Sequence, residues 1–289
     1  MMIKRKNNKN SNPMLYGLHA VREAWLNDAR AVQALYITAQ AQRSFEKTIT
    51  EGVNRGLRRP KPTIVDNNKI DKMLPKGAVH QGIALNCSQL EEMDERDLAI
   101  LYHLEKRAFI TMLDQVTDPH NVGAIIRSAS AFGMDGLIMQ KKHSPALDGV
   151  LAKTACGGID HLKIATATNL SRAIEELQAG GFLVVGLDER AEHTIDQLQE
   201  IADAVNRSPN SSAQGSNNKL AVGGTPRMKT PEKVVLVLGS EGSGLRHNVR
   251  EKCDSLIKLP TQGAIKSLNV SNAAAIAFYV ATQTEYTQK

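Results

Sequence analysis

Two hydrophobic periods take turns along this chain. Over residues 18–88, short apolar runs with strand character are separated by stretches whose apolar residues recur three and four apart. The pattern predicts helices over 18–26, 44–56 and 67–74 and strands over 32–38, 63–65 and 81–87. Asp66 stands where the third helix needs an N-cap. An αβαβαβ series of this kind predicts a small α/β sandwich of about 75 residues.

Residues 91–106 are charged and read as a helical connector. A longer alternation begins at Ala108. Strands are expected over 109–113, 136–139, 162–165, 182–187, 233–239 and 255–259. Helices are expected over 121–132, 147–156, 170–179, 245–251 and 269–284. In the first of these helices Val122, Ile125, Ile126 and Ala129 form an apolar stripe, and Arg127 lies off it. Apolar strands separated by helices predict a parallel sheet with helices on both faces, which binds its ligands at the carboxyl ends of strands. Residues 206–231, rich in Ser, Asn, Gly and Pro, break the rhythm and read as a flexible surface insertion. The insertion is either disorder without function or a basic RNA-contacting loop carrying Arg207, Lys219, Arg227 and Lys229. The expected division is a basic disordered tail over 1–12, a first module over 13–88, a connector over 89–106 and a second module over 107–289.

Composition narrows the class. With 42% hydrophobic residues the 289-residue chain can bury a normal core, and no apolar run approaches the roughly 18 residues of a membrane span. The basic N-terminus has no apolar stretch of the kind a secretory signal needs. Cys87, Cys156 and Cys253 lie far apart and match no zinc spacing. They are expected to be core thiols in a reducing cytosol, with no structural metal and with an organellar matrix left open. The net charge of +6 is unevenly spread: residues 1–88 hold 15 Lys and Arg against 6 Asp and Glu, and residues 89–289 hold 21 against 24. A basic first third joined to a near-neutral body is the footprint of a polyanion-binding module. Aromatic residues, at 4%, are too few for a base-stacking platform, so phosphate contact and shape recognition fit better.

Three strand-to-helix junctions carry the candidate chemistry. The first runs from Leu113 through Asn121 to Arg127, the second from Val234 through Gly239 and Glu241 to Arg246, and the third from Ile265 through Ser267 and Asn269 into a helix of small residues. The loop Gly239-Ser-Glu-Gly-Ser-Gly244 is neither a dinucleotide fingerprint nor a P-loop. A carboxylate inside it would repel a phosphate, so it suits a neutral or cationic ligand, or a hydroxyl that needs an acceptor. Asn121 is either the N-cap of its helix or a ligand contact. Arg127 is either a surface arginine or a clamp for a phosphate or carboxylate. Ser267 is placed to orient a ligand oxygen, and Ser271 is expected to be structural.

Taken together, the junctions resemble the three motifs of the SpoU/TrmH family of SPOUT RNA 2'-O-ribose methyltransferases. The matching runs are Asn121-Val-Gly-Ala-Ile-Ile-Arg127, Leu236 to Gly244, and Leu259-Pro-Thr-Gln-Gly-Ala-Ile-Lys-Ser-Leu-Asn-Val-Ser271. Tyr16-Gly-Leu-His-Ala-Val21 and Val79-His-Gln-Gly-Ile83 are similar to the family's L30e-like substrate-binding domain, which marks the subgroup of bacterial 23S rRNA 2'-O-methylguanosine methyltransferases. The insertion at 206–231 and Asn272 depart from the family pattern.

The resemblance implies an α/β SPOUT domain with a deep trefoil knot, a topology that folding rules alone would not suggest. It implies an S-adenosyl-L-methionine pocket in which Gly239, Leu259 and Leu268, with Leu238 and Gly263 beside them, contact the cofactor. It also implies a homodimer, RNA as the partner, no membrane, and an active set of Arg127, Asn121, Glu241, Ser267 and Asn269. The reaction would move a methyl group to a ribose 2'-hydroxyl, in 23S-type rRNA or its precursor particle. Arg127 would act as a base or, since a free guanidinium has a pKa above about 12, as a charged clamp fixed by Asn121 and Glu241. Ser267 and Asn269 would hold the motif loops and the ribose. The alternatives are a tRNA 2'-O-methyltransferase, against which the N-terminal module argues, and a non-catalytic RNA-binding assembly factor, against which the complete polar set argues.

Overall fold

A computed structural model describes residues 14–207, 232–265 and 267–283. The expected tail over 1–12, all but the first two residues of the 206–231 insertion, and the last residue of the predicted 269–284 helix lie outside the described residues. The chain forms two compact units.

The first unit opens with β1 (Met14–Tyr16), α1 (Leu18–Leu26), β2 (Val32–Ile37) and α2 (Ala39–Asn54). It continues with β3 (Thr63–Ile64), α3 (Asn67–Met73) and β4 (Ile83–Cys87). The strands form one mixed sheet in the order β1-β4-β2-β3. β1, only three residues long, is not among the predicted strands. α2 begins five residues before the predicted start, where the Thr38 side chain accepts from the Ala41 amide and caps it. Asp66 caps α3 as expected, accepting from Lys69 N.

The second unit contributes β5 (Met93–Asp94), α4 (Glu95–Leu101), β6 (Ala108–Asp114), α5 (Pro119–Ala131) and β7 (Gly136–Gln140). The next helix, α6 (Gly149–Thr154), departs from the sequence reading, which set it in the second alternation. Residues Ala146–Asp160 cluster with the first unit, where α6 packs against β1 and α1. There Asp160 forms a buried ion pair with Arg30 (2.5 Å) and accepts from Asn27 Nδ2 (2.9 Å). Period 3.6 predicts a helix but not which core its apolar face joins.

The second unit then resumes with β8 (Lys163–Ala167), α7 (Leu170–Ala179), β9 (Leu183–Leu187), β10 (His193–Thr194) and α8 (Leu198–Arg207). It ends with β11 (Lys233–Gly239), α9 (His247–Arg250), β12 (Ser255–Lys258) and α10 (Val270–Thr282). Its eight strands form one parallel sheet in the order β10-β12-β9-β11-β6-β7-β8-β5. β6 is buried along its whole length, as a central parallel strand must be. Ala108, Ile110 and Met112 share a core with Leu98 of α4, Ile174 and Leu177 of α7, and Val249 of α9. α5 packs against α10, with Val122, Ile125, Ile126 and Ala129 fully buried. The expected connector is therefore partly sheet: β5 pairs with β8, and Leu98 is fully buried. Among the described residues no helix is long and apolar enough to cross a membrane.

Candidate functional site

The carboxyl ends of β11 and β6 are level, since Leu238 pairs with Leu113 and Gly239 with Asp114. Each end launches one of the loops singled out by sequence. After β11, Ser240 and Gly244 exchange backbone hydrogen bonds (3.2 and 3.0 Å) and close a tight loop. Gly239 must be glycine, because a Cβ there would lie 2.3 Å from the backbone carbon of Gly244. The loop exit is anchored by the fully buried Asp114, which accepts from Arg246 N (2.8 Å) and Nε (2.7 Å).

The closed loop projects Glu241 toward the other two motifs. Glu241 Oε1 accepts from Asn121 Nδ2 (3.0 Å), from Asn269 Nδ2 and from Val270 N (3.4 Å). Asn269 Nδ2 also donates to Asn121 Oδ1 (3.0 Å). The three polar residues, one from each motif, thus form a single hydrogen-bonded junction. All three bonds to the carboxylate fall on Oε1; Oε2 has no partner among the described residues.

Local signals explain the placement. The cap of α5 is Asp118, which accepts from His120 N, with Pro119 in the first turn. Asn121 is therefore not the cap, and its amide is free for the junction. Asn269 caps α10 by accepting from Ser271 N (2.9 Å), and Ser271 Oγ also donates to it (2.6 Å). This accounts for Ser271 as a structural residue. Arg127 is exposed, about one and two-thirds turns along α5 from Asn121. Asn121 and Glu241 are bonded to each other and to Asn269, so the expectation that they fix the Arg127 guanidinium is not met.

A cavity of 520 Å³ opens beside the junction. Leu238, Gly239, Glu241, Leu259, Ser267 and Leu268 all line it, and Gly263 does not. Gly263 is exposed on the loop between β12 and α10. Sequence reasoning missed the stretch Leu187-Asp188-Glu189-Arg190, which also lines the cavity. The usable signal was its position: it follows a parallel strand, where ligands of such sheets bind. Burial works against ionisation of Asp188, but hydrogen bonds from Arg190 and the charge of Arg250 outweigh it and hold the carboxyl below its ordinary value. Nearby, burial together with Asp254 and Asp114 pushes the Cys253 thiol up to about 12, which rules it out as a nucleophile near neutral pH.

The cavity fits an adenosyl sulfonium. Its volume lies within the roughly 300–1,000 Å³ of small-molecule sites. Leu187, Leu238, Ile257, Leu259 and Leu268 supply apolar walls, and the Glu241 carboxylate suits a cation. Among the described residues no cluster of His, Cys, Asp and Glu could hold a metal ion.

Comparison with known proteins gives concordant matches. The model of the SpoU rRNA Methylase family matches residues 108–279. A second model, RNA 2'-O ribose methyltransferase substrate binding, matches residues 14–93. The chain is 32% identical over 272 residues to the 23S rRNA (guanosine-2'-O-)-methyltransferase RlmB of Salmonella typhi, covering 93% of this chain and 98% of that protein. It is 33% identical over 270 residues to the RlmB of Pasteurella multocida, covering 92% and 95%. Among solved structures, the SpoU methyltransferase AviRb of Streptomyces viridochromogenes in complex with AdoMet superimposes with a TM-score of 0.66 at 21% identity, covering 93% of this chain and 88% of that one. An AdoMet-bound rRNA methyltransferase from Sinorhizobium meliloti gives 0.65 at 22%, covering 93% and 86%. At these identities the two structures bear on the fold alone.

Proposed function

Because the chain belongs to the SpoU rRNA methylase family, we propose that it transfers a methyl group from S-adenosylmethionine to the ribose 2'-hydroxyl of a guanosine in 23S-type rRNA. The enzyme class follows from the family, and the guanosine and the rRNA from the relatives at about 30% identity. The observation that carries the reading to particular residues is the Asn121–Glu241–Asn269 junction beside the 520 Å³ cavity.

When bound, S-adenosylmethionine supplies the methyl group on a sulfonium. Leu238, Gly239, Leu259 and Leu268 would hold the adenosine through apolar contact and backbone groups, and Glu241 would favour the cation. The junction orients Glu241 by loading Oε1 with three hydrogen bonds. Its Oε2, without a partner among the described residues, then accepts the hydrogen bond, and during transfer the proton, of the 2'-hydroxyl. Arg127 stays charged, holds the neighbouring phosphate and stabilises developing alkoxide charge. Ser267, on the cavity wall, orients the ribose. Proximity does much of the rest, because a nucleophile held about 3–3.5 Å from its target gains several orders of magnitude in rate.

The first module, 13–88, would locate the RNA with its basic surface, and 107–289 would carry the transfer. A knotted C-terminal segment belongs to the same proposal, as does a homodimer. Exposed Ile276 and Tyr279 of α10, with Phe132 stacked edge-on against Tyr279 at 5.9 Å, offer an apolar patch for a second copy. The expected setting is the cytoplasm. Incubation of the purified chain with labelled cofactor and either 23S-type rRNA or tRNA tests the substrate: label in the rRNA supports the reading, and label in tRNA alone overturns it.

A further inference from the structure

The second unit carries a basic turn for which the mechanism above has no use. Lys141, Lys142 and His143 follow β7, and all three are exposed. Among the described residues neither lysine forms an ion pair. The turn is nevertheless held in place. Lys141 N donates to Ala167 O on β8 (2.8 Å), and the side chain of Gln140 accepts from Gln115 N beyond β6 (3.2 Å). His143 sits at φ 69, which fixes the direction in which the chain leaves.

The sheet serves as a ruler. Met139 of β7 pairs with Leu113 of β6, which pairs with Leu238 of β11. The three strands therefore end level, and the basic turn stands two strand spacings, roughly 10 Å, from Gly239. Arg127 lies exposed on α5, the helix that connects β6 to β7. Among the described residues no carboxylate along this edge pairs with the turn, and Glu241 is engaged by Asn121 and Asn269. Asp114 is buried and bonded to Arg246, and Asp118 caps α5. Lys141, Lys142 and His143 together at one strand end stand out in a region, 89–289, where acids outnumber bases 24 to 21.

We infer that the Lys141–His143 turn is a phosphate clamp for the RNA strand flanking the target ribose, so that the methyltransferase unit grips the substrate itself. This rests on the proposed reaction. A ribose placed at the junction brings adjoining backbone phosphates within reach of long cationic side chains on the neighbouring strand ends. Lysine suits the task because a single-stranded backbone is gripped by charge, whatever its sequence.

The test compares the full-length chain with Lys141→Gln/Lys142→Gln and with Lys163→Gln, a lysine at the amino end of β8. Methyl transfer to a 23S-type rRNA fragment gives the RNA KM, filter binding across a salt series gives the slope of log affinity against log salt, and calorimetry gives cofactor affinity. The double variant should raise the RNA KM about tenfold and flatten the slope by about 1.4, since each phosphate contact on a single strand contributes about 0.7. Its cofactor affinity and melting temperature should match those of the wild type, and Lys163→Gln should leave the slope alone. An unchanged KM and slope in the double variant would overturn the clamp while leaving the reaction in place. Failure of the wild type to transfer methyl to any RNA would instead overturn the proposed function, and the slope comparison would still decide the clamp.

Discussion

Asn269 donates from its side-chain amide to Oδ1 of Asn121 across 3.0 Å, joining residues 148 positions apart in the chain. The same Asn269 caps α10 through Ser271 N and reaches Glu241. One side chain thus closes a contact between two motifs and begins the helix of a third. Replacing it should cost both stability and rate. For Asn269→Ala we expect about 1 kcal/mol of lost stability, the usual value of an N-cap, and a fall in kcat/KM of at least about a hundredfold. Asn269→Ser should keep the cap and most of the melting temperature but not the rate, because its short hydroxyl cannot reach Glu241 and Asn121. Melting curves and steady-state kinetics separate the two effects.

Glu241 offers a sharper test of chemistry against architecture. In Glu241→Gln the amide oxygen can accept the three bonds that Oε1 accepts now, while a donor replaces Oε2. The junction and melting temperature should therefore survive, and kcat should drop about 10²–10⁴-fold, the range for a lost general base. A variant within a few-fold of wild type would exclude Glu241 as the proton acceptor.

Asp188 makes stability depend on pH. Its folded carboxyl is held below its unfolded value of about 3.9 by Arg190 and Arg250. The stability it contributes is complete above that unfolded value and is lost as pH falls through the lower folded one. Asp188→Asn should be less stable than wild type at pH 7, and the difference should shrink below about pH 4. Urea unfolding of both proteins at pH 7 and at pH 3 measures it; a difference that grows on acidification would contradict the assignment.

In the first unit, Arg30 and Asp160 are both almost wholly buried and paired. Asp160→Ala strands a buried guanidinium and should cost about 3–5 kcal/mol, whereas Arg30→Met/Asp160→Leu should recover much of that loss. Proteolysis of the first unit under native conditions would report the difference. A single variant as resistant as the wild type would show that the pair does not hold residues 146–160 in place.

Much of this architecture could be read from the chain, and each exception has its own cause. All six strands predicted for the second unit are present, because buried parallel strands write long apolar runs such as Val234 to Leu238. β1, β5 and β10 were not among the predicted strands; each is only two or three residues long. The cap at Asp118 escaped although Asp-Pro is a start signal, because Asn121, three residues on, is also a favoured cap residue. The motifs named the junction residues, but only the folded chain shows that Asn121 and Glu241 serve each other and not Arg127. The Leu187–Arg190 wall was hidden because no motif marks it. Its contribution depends on β9 lying between β11 and β12, a matter of strand order that spacing along the chain cannot supply.

The most direct test of the central claim is nucleoside mass spectrometry of 23S-type rRNA after incubation with S-adenosylmethionine and either wild-type protein, Arg127→Lys or Arg127→Ala. The wild type should yield 2'-O-methylguanosine, Arg127→Lys, which keeps the charge, should react within about tenfold of it, and Arg127→Ala should lose about 10²-fold or more, as for a removed transition-state donor. A methyl group found on a base, or no methylated nucleoside from the wild type with either free rRNA or its precursor particle, would contradict that claim.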